Sequence, residues 1–332
     1  MTRATKFRLH LESRRAQSPC FHLDEAAWAF AARRHAELAE RVEASFGWDG
    51  EALPDALRSA DALIASRFDK SSVNAAPRLR WIHTTGAGVD QLMPLDELRA
   101  DLVLSNSSGI HSDKAGEFAL MAMLLLNARM PEVIANQHAR LWRGILTAPM
   151  SGKRALIVGF GDIGQAVGRL ALAAGLDVTA LTRSGTRPAN APDVPVMATG
   201  RLDALLPEAD FVVVTAPLTS ETRNLLNAER LSMLRPGAGI VNMARAPLVD
   251  YAALAQRLRE GLLGGAVLDV FDDEPLPSES PLWRVPRLIV APHISCDAPD
   301  YNQRVLDIWF DNFGRLQRGC PLRNQVDRVR GY

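Results

Sequence analysis

The sequence is poor in cysteine and has no excess charge of either sign, and each shortage removes a class of function. Three cysteines in 332 residues, Cys20, Cys296 and Cys320, form no CxxC pair and no even set. That pattern excludes a disulfide framework and a thiolate zinc site, and it favours a reducing, cytoplasmic compartment. Lys plus Arg number 38 and Asp plus Glu number 38, so no field of one sign is available to hold nucleic acid or an anionic membrane. The N-terminal stretch MTRATKFRLHLESRRAQSPC lacks the apolar core of a signal peptide. Long hydrophobic runs are missing too. The most apolar helix candidate, AGEFALMAMLLLNARM, carries Glu117 and Arg129 and is too short to span a bilayer. It reads as a buried or subunit-packing helix. These absences leave a small molecule, held by local charge, as the expected partner.

A chain of this length exceeds one compact core, so two domains are expected. Apolar residues at 47% and charged residues at 23% are ordinary for a globular protein. From Ala52 to Ser107, short apolar runs (DALIAS, LRWIHTT, LVLSNSS) alternate with helical segments, which predicts a small parallel α/β domain. A long helix is expected over 113–130. A second alternation then begins with RALIVGF and continues through DVTALTR, FVVVTAP, AGIVNMA, GAVLDVF and RLIVAPH. Such near-continuous apolar runs mark parallel strands buried on both faces. The last amphipathic segment, PDYNQRVLDIWFDNFGRLQRG, returns the chain to the first domain. The expected division is 1–106 with 297–332, and 107–296 as a central insertion. Trp48, Leu141, Trp142 and Trp283 are read either as pocket lining or as core residues.

Gly159-Phe160-Gly161-Asp162-Ile163-Gly164 follows an apolar strand and opens a helix whose stripe is Ile163, Val167, Leu170 and Ala174. In that setting GxGxxG binds a dinucleotide: Gly159 makes the turn, Gly161 admits the pyrophosphate, and Gly164 lets helix and strand pack. Free N–H groups at the helix's positive end meet the anion. Alone, the motif is equally a tight turn. The next strand ends near Leu181, where an NAD site places an acid against the ribose 2′-OH. Asp177 begins that strand and lies at the wrong edge. The far end instead reads Thr182-Arg183-Ser184-Gly185-Thr186-Arg187. Two readings fit: a solvated basic loop, or a seat for a 2′-phosphate with Arg183 foremost and Thr182, Ser184 and Arg187 behind it. NADP is therefore favoured over NAD.

Three further strand ends carry polar residues: Arg245, then Asp269 and Glu274, then His293. In an open parallel sheet, ligands collect at the carboxyl ends of the strands. Reducing a 2-keto acid needs a cation for the carboxylate, a proton donor for the carbonyl oxygen, and a hydride. Arginine suits the first, histidine the second, and a carboxylate beside the histidine favours its imidazolium. Each residue also has a structural reading: Arg245 as a helix cap, Glu274 as a turn residue, His293 as an incidental histidine. Together on one sheet edge they make a stronger set, and one that needs no metal.

These residues lie in segments that resemble the D-isomer-specific 2-hydroxyacid dehydrogenase family. The likeness runs through HTTGAGVDQL, AGEFALMAMLLLNAR, VGFGDIGQAVGRLA, APLTSETRNLLNAERLSMLRPGAGIVNMARAPLVD, GAVLDVFDDEPLP and APHIS, most of residues 80–296. The resemblance implies an α/β fold: a Rossmann-type doubly wound parallel sheet inserted in a smaller flavodoxin-like domain, usually paired as dimers. It implies Arg245 as the substrate arginine, Glu274 as the pKa-raising glutamate and His293 as the acid/base. It sets Asp269 near the nicotinamide carboxamide, and it makes Thr85, Gly86, Ala87 and Gly88 a backbone loop for the substrate carboxylate. Ala216, Pro217, Met243 and Ala244, at neighbouring strand ends, complete the expected cofactor-facing set. The chain departs from the family at Arg245-Ala246-Pro247, where Arg-Gly is usual, and at Ser295-Cys296-Asp297. Cys296 is read as lining, because hydride transfer needs no covalent step.

The expected activity is reduction of a small 2-keto acid with NAD(P)H, glyoxylate or hydroxypyruvate foremost. Two alternatives stay open: a nucleotide-sensing corepressor on the same fold, and a phosphite- or formate-type dehydrogenase. Glu274 argues against the formate type, which pairs its histidine with glutamine.

Overall fold

The computed structural model describes residues 6–331. They divide into two compact units, one running to Ile110 and resuming at Ala298, the other spanning His111–Asp297. The first unit holds five strands: β1 (Phe7–Ser13), β2 (Val42–Trp48), β3 (Ala62–Ala65), β4 (Trp81–Thr84) and β5 (Val103–Ser105). They form a parallel sheet in the order β2-β1-β3-β4-β5, the flavodoxin-like arrangement. Every residue of β3 and β4 is buried, as strands covered on both faces must be. The helix Tyr301–Gln317 buries Val305, Leu306, Trp309, Phe310 and Phe313, which fall on one face at helical spacing. The Trp309 ring stacks on Trp81 with centroids 5.3 Å apart. This is the packing that brings the C-terminal segment back to the first unit.

β1 and β2 lie before the stretch in which alternation is legible. β1 reads as polar because it contains Arg8, His10 and Glu12. His10 and Glu12 are nevertheless buried, joined Nε2 to Oε2 at 2.9 Å, with Ser45 Oγ at 2.9 Å from His10 Nδ1. Burial of polar side chains is tolerated there because each finds a partner.

The second unit holds β6 (Arg154–Val158), β7 (Asp177–Thr182), β8 (Val196–Ala198), β9 (Phe211–Val214), β10 (Gly239–Asn242), β11 (Gly265–Leu268) and β12 (Leu288–Val290). The order is β12-β11-β10-β9-β6-β7-β8, parallel throughout. Strand order reverses between β6 and β9, which is where such sheets open a crevice for ligands. The helix Asp162–Ala173 buries Gly164, Ala166, Val167, Gly168 and Ala171. These small residues let it lie close to the sheet and to the helix Ser112–Asn127. A Cβ on Gly116 would already sit 3.1 Å from the Leu170 side chain.

The helix expected over 113–130 is two helices, Ser112–Asn127 and Met130–His138, bent by 63°. Arg129 adopts the left-handed conformation (φ 52°), and Pro131 opens the second helix in its first turn, where proline is tolerated. Among the described residues no single helix is long and apolar enough to cross a membrane. Trp142, Leu141 and Trp283 are exposed and are not core residues. Trp48 is half-buried, edge-on to His22 at 4.9 Å.

Candidate active site

The glycine turn follows β6 directly. Gly159 has φ +99°, and a Cβ there would lie 2.5 Å from the amide nitrogen of Ala216 at the end of β9. Only glycine fits, both for the dihedral and for the close approach. Gly164 is as tightly held, since a Cβ would meet Gly159 O at 2.1 Å. Thr215 Oγ1 donates to that carbonyl at 2.7 Å and fixes the turn. Gly161 differs: apart from its own chain neighbours, no described residue comes within 4 Å of the Cβ position. Gly161 caps the helix Asp162–Ala173, and the amides of Gly161, Asp162 and Ile163 donate to no acceptor among the described residues. Open space over unpaired amides at a helix N-terminus fits a pyrophosphate. Phe160 is buried beneath the turn.

At the end of β7, Thr182 Oγ1 donates to Thr186 O (3.1 Å) and Ser184 Oγ to Thr186 Oγ1 (2.9 Å). They close a turn in which Gly185 has φ +76°. Arg183 is exposed at its tip, with no hydrogen bond or ion pair to a described residue. Arg187 is engaged otherwise, by Asp193 (2.8 Å) and the carbonyl of Ala191 (3.0 Å). Of the two arginines, Arg183 is the one available to an incoming anion.

Ala216 is buried and Pro217 exposed after β9, while Met243 and Ala244 are buried after β10. Arg245 follows in extended conformation and caps the short 3-10 turn Ala246–Leu248. Its Nη1 donates to Ala244 O at 2.7 Å. The turn is tied to the PLTSETRNLL segment, because Asn224 N donates to Pro247 O (2.7 Å) and Leu226 N to Leu248 O (2.9 Å). Proline at 247 keeps that carbonyl acceptor while removing a donor the turn does not use.

Beyond β11 two carboxylates do different work, and His293 lies beyond β12. Asp269 is fully buried, and its oxygens accept the amides of Ile294 (2.8 Å) and Ser295 (3.0 Å). Burial raises its pKa, opposed by the bonds from Ser295 and Ile294. It thereby anchors the turn that carries His293. Glu274 Oε1 accepts the amide of Phe271 (2.9 Å), and Oε2 lies 2.8 Å from His293 Nδ1. Side-chain exposures of 47% for His293 and 36% for Glu274 leave the pair within reach of a ligand. His293 has φ +55°, a conformation rare for non-glycine residues and concentrated at functional sites. With Nδ1 on the carboxylate, Nε2 is the nitrogen free to exchange a proton. Burial pushes the Cys296 thiol up to about 11 and raises Asp297 as well. At neutral pH, then, Cys296 is a protonated thiol packed against the apolar core of the second unit.

In the first unit, Thr85–Gly88 form a loop after β4 whose carbonyls face its own scaffold. Thr85 O accepts from Tyr301 Oη (3.0 Å), Gly86 O from Ser107 N (3.1 Å) and Ala87 O from Asn106 Nδ2 (2.8 Å). The amides of Gly86, Ala87 and Gly88 donate to no described residue. A run of such amides suits an anion.

Sequence reasoning passed over Thr215 and Asn242, which hold the glycine turn and the Arg245 turn. A polar residue interrupting an apolar strand run was the available signal for Asn242.

Three comparisons bear on this geometry. Residues 120–295 match the family described as D-isomer specific 2-hydroxyacid dehydrogenase, NAD binding domain. A glyoxylate reductase from Thermofilum pendens is 32% identical over 273 residues, covering 79% of this chain and 80% of that protein. A D-isomer specific 2-hydroxyacid dehydrogenase from Xanthobacter autotrophicus, solved with NADPH and MES, superimposes with a TM-score of 0.83 at 29% identity. That match covers 99% of this chain and all of the other. An NADPH-dependent glyoxylate/hydroxypyruvate reductase from Sinorhizobium meliloti, solved with NADP and sulfate, gives 0.82 at 26% identity over 98% of this chain and all of that one.

Proposed function

The chain belongs to the D-isomer specific 2-hydroxyacid dehydrogenase family, and from that premise we propose that it reduces small 2-keto acids, glyoxylate or hydroxypyruvate first, with NADPH preferred over NADH. The observation that carries the reading is the pairing of His293 Nδ1 with Glu274 at 2.8 Å, on the same sheet edge as Arg245 and the glycine turn. In this account the Arg245 guanidinium holds the substrate carboxylate and polarises the carbonyl. His293 gives its Nε2 proton to the carbonyl oxygen, and Glu274 balances the imidazolium charge until then. When bound, the nicotinamide supplies the hydride that adds to C2, so hydride and proton together yield the 2-hydroxy acid. In the reverse direction His293 takes the proton back.

The amides of Gly161, Asp162 and Ile163 would hold the pyrophosphate, with Phe160, Gly159 and Gly164 shaping the floor. Arg183, with Thr182 and Ser184, would hold the 2′-phosphate, and its lack of a protein partner supports NADP over NAD. Ala216, Pro217, Met243, Ala244 and Asp269 would border the rest of the cofactor. The first unit would be the substrate-binding domain and the second the dinucleotide-binding domain.

A homodimer is part of the reading. Met121, Leu124, Ile134, Leu141, Trp142 and Leu146 are all exposed within one short stretch of the second unit. A second copy would cover so much apolar surface. Three unpaired cysteines fit a cytoplasmic setting. The test is a set of initial rates over a panel of 2-keto acids with NADH and NADPH side by side. Turnover of glyoxylate or hydroxypyruvate, faster with NADPH, supports the reading; no turnover of any 2-keto acid overturns it.

A further inference from the structure

Asn242 and Tyr251 touch none of the reacting groups named above, yet together they join the Arg245 turn to the loop that carries Glu274. Asn242 is fully buried at the end of β10. Its Oδ1 accepts Ala244 N at 3.1 Å, and its Nδ2 donates to Arg245 O at 3.0 Å. An N–H on one side and a carbonyl on the other leave the amide one orientation. The second hydrogen of Nδ2 goes to Tyr251 Oη at 2.9 Å. The tyrosine proton must then point away from Asn242, and it is given to Val270 O at 2.8 Å.

The chain of bonds continues on the far side. Val270 follows Asp269, whose amide donates to Asn242 O (2.9 Å) and whose carboxylate anchors the His293 turn. Phe271, next in sequence, gives its amide to Glu274. Tyr251 is well placed to act as a fixed post. It opens the helix Tyr251–Arg259, whose N-cap Asp250 accepts Ala253 N at 3.0 Å, and its ring lies edge-on to Phe271 with centroids 6.2 Å apart. Burial raises the pKa of the phenol, so the hydroxyl stays a donor across the working pH range.

We propose that Tyr251 is a positioning residue for the reaction. Its hydroxyl clamps the Arg245 turn to the Val270–Glu274 loop and so sets the placement of the substrate-binding guanidinium of Arg245 against the His293–Glu274 pair. The inference rests on the reading that Arg245, Glu274 and His293 carry the chemistry. A phenylalanine would keep the ring and its packing but would leave Val270 O without its donor and one Asn242 hydrogen without its acceptor. Misplacement by a fraction of an ångström suffices to slow a reaction that depends on aligned groups.

The test is a double-mutant cycle on the full chain: Tyr251→Phe, Arg245→Lys and the pair, read as initial rates with glyoxylate and NADPH. Tyr251→Phe is expected to lower kcat about tenfold, with NADPH affinity within twofold of the parent and a melting temperature a few degrees lower. In the Arg245→Lys background, where the guanidinium fork is already lost, the same change is expected to cost less than twofold. Asn242→Ser cuts the chain at its other end and should reproduce both the loss and the non-additivity. Parental kcat in Tyr251→Phe, or an equal loss in both backgrounds, overturns the clamp. Should Tyr251→Phe fold poorly, Asn242→Ser alone decides it by the same two criteria. Parental kcat/KM in Arg245→Lys would overturn instead the catalytic reading beneath the proposal.

Discussion

Replacing Gly161 by alanine adds a methyl where, apart from its chain neighbours, no described residue comes within 4 Å, at φ −73°, which alanine adopts without strain. The folded protein should not suffer. Losing glycine's freedom in the unfolded chain stabilises by about 0.4–1 kcal/mol at a compatible position. The methyl does occupy the space over the unpaired amides of the helix N-terminus. If a pyrophosphate is held there, one such bond to a charged oxygen is lost, worth about 1.5–3 kcal/mol, which is roughly a 10- to 100-fold weaker complex. Gly164→Ala should fail in the opposite way. Its Cβ would lie 2.1 Å from Gly159 O and 3.1 Å from Thr215 Oγ1, so backbone must move by about 1 Å. Overpacking of that kind costs about 1–3 kcal/mol, a fall in melting temperature of roughly 3–10 °C for a domain of this size. The assay is thermal unfolding of both variants without nucleotide, with NADPH titrations by fluorescence. If Gly161→Ala binds NADPH as tightly as the parent, or melts several degrees lower while Gly164→Ala does not, the account of the glycine floor is wrong.

Three further outcomes are expected. Glu274→Gln removes the charge facing His293. Two unit charges 4 Å apart near a surface are worth about 1–4 kcal/mol, and the partial exposure of both groups favours the lower half of that range. A loss of roughly 5- to 70-fold in kcat/KM, with unchanged NADPH affinity, is therefore anticipated in steady-state kinetics; parental kcat/KM would contradict it. Arg183→Ala should weaken NADPH at least tenfold, as loss of a charged hydrogen bond does, and leave NADH within twofold; equal losses for both nucleotides would argue for a general charge effect. Asp69 caps the helix Lys70–Ala75, and the hydroxyls of Ser71 and Ser72 with the Ser72 amide hold its carboxyl at about 2 against an ordinary 3.8. Its folded value is the lower one, so its contribution is full above about pH 4 and disappears as pH falls toward 2. The gap in melting temperature between the parent and Asp69→Ala should shrink over that window, and a gap independent of pH would contradict the assignment.

How much was legible in the sequence depended on what each residue's neighbours do. The strands flanking the glycine turn stood out because burial on both faces leaves uninterrupted apolar runs, as in Phe211–Val214. Arg245, Glu274 and His293 stood out for the converse reason, as polar residues just beyond such runs. β1 was hidden because His10 and Glu12 satisfy each other in the interior, which single-residue polarity does not disclose. β8 is short and half-buried at the sheet edge, so it carries little pattern. The bend at Arg129 turned on a left-handed dihedral at a non-glycine residue. The roles of Asn242 and Tyr251 depend on bonds between the ends of neighbouring strands and a helix start, a relation that exists only once the chain has folded. The sequence ranks Arg183 ahead of Arg187, but only the fold shows that Arg187 is engaged by Asp193.

The central claim is that His293, oriented by Glu274, exchanges the proton in a nicotinamide-linked reduction. The most direct measurement is NADPH oxidation with glyoxylate by the parent and by His293→Ala, with NADPH affinity measured on both. General acid catalysis of this kind contributes about 10²–10⁴-fold. The account predicts a loss of at least about 100-fold in kcat with NADPH affinity within twofold. Turnover by His293→Ala at the parental rate would contradict it.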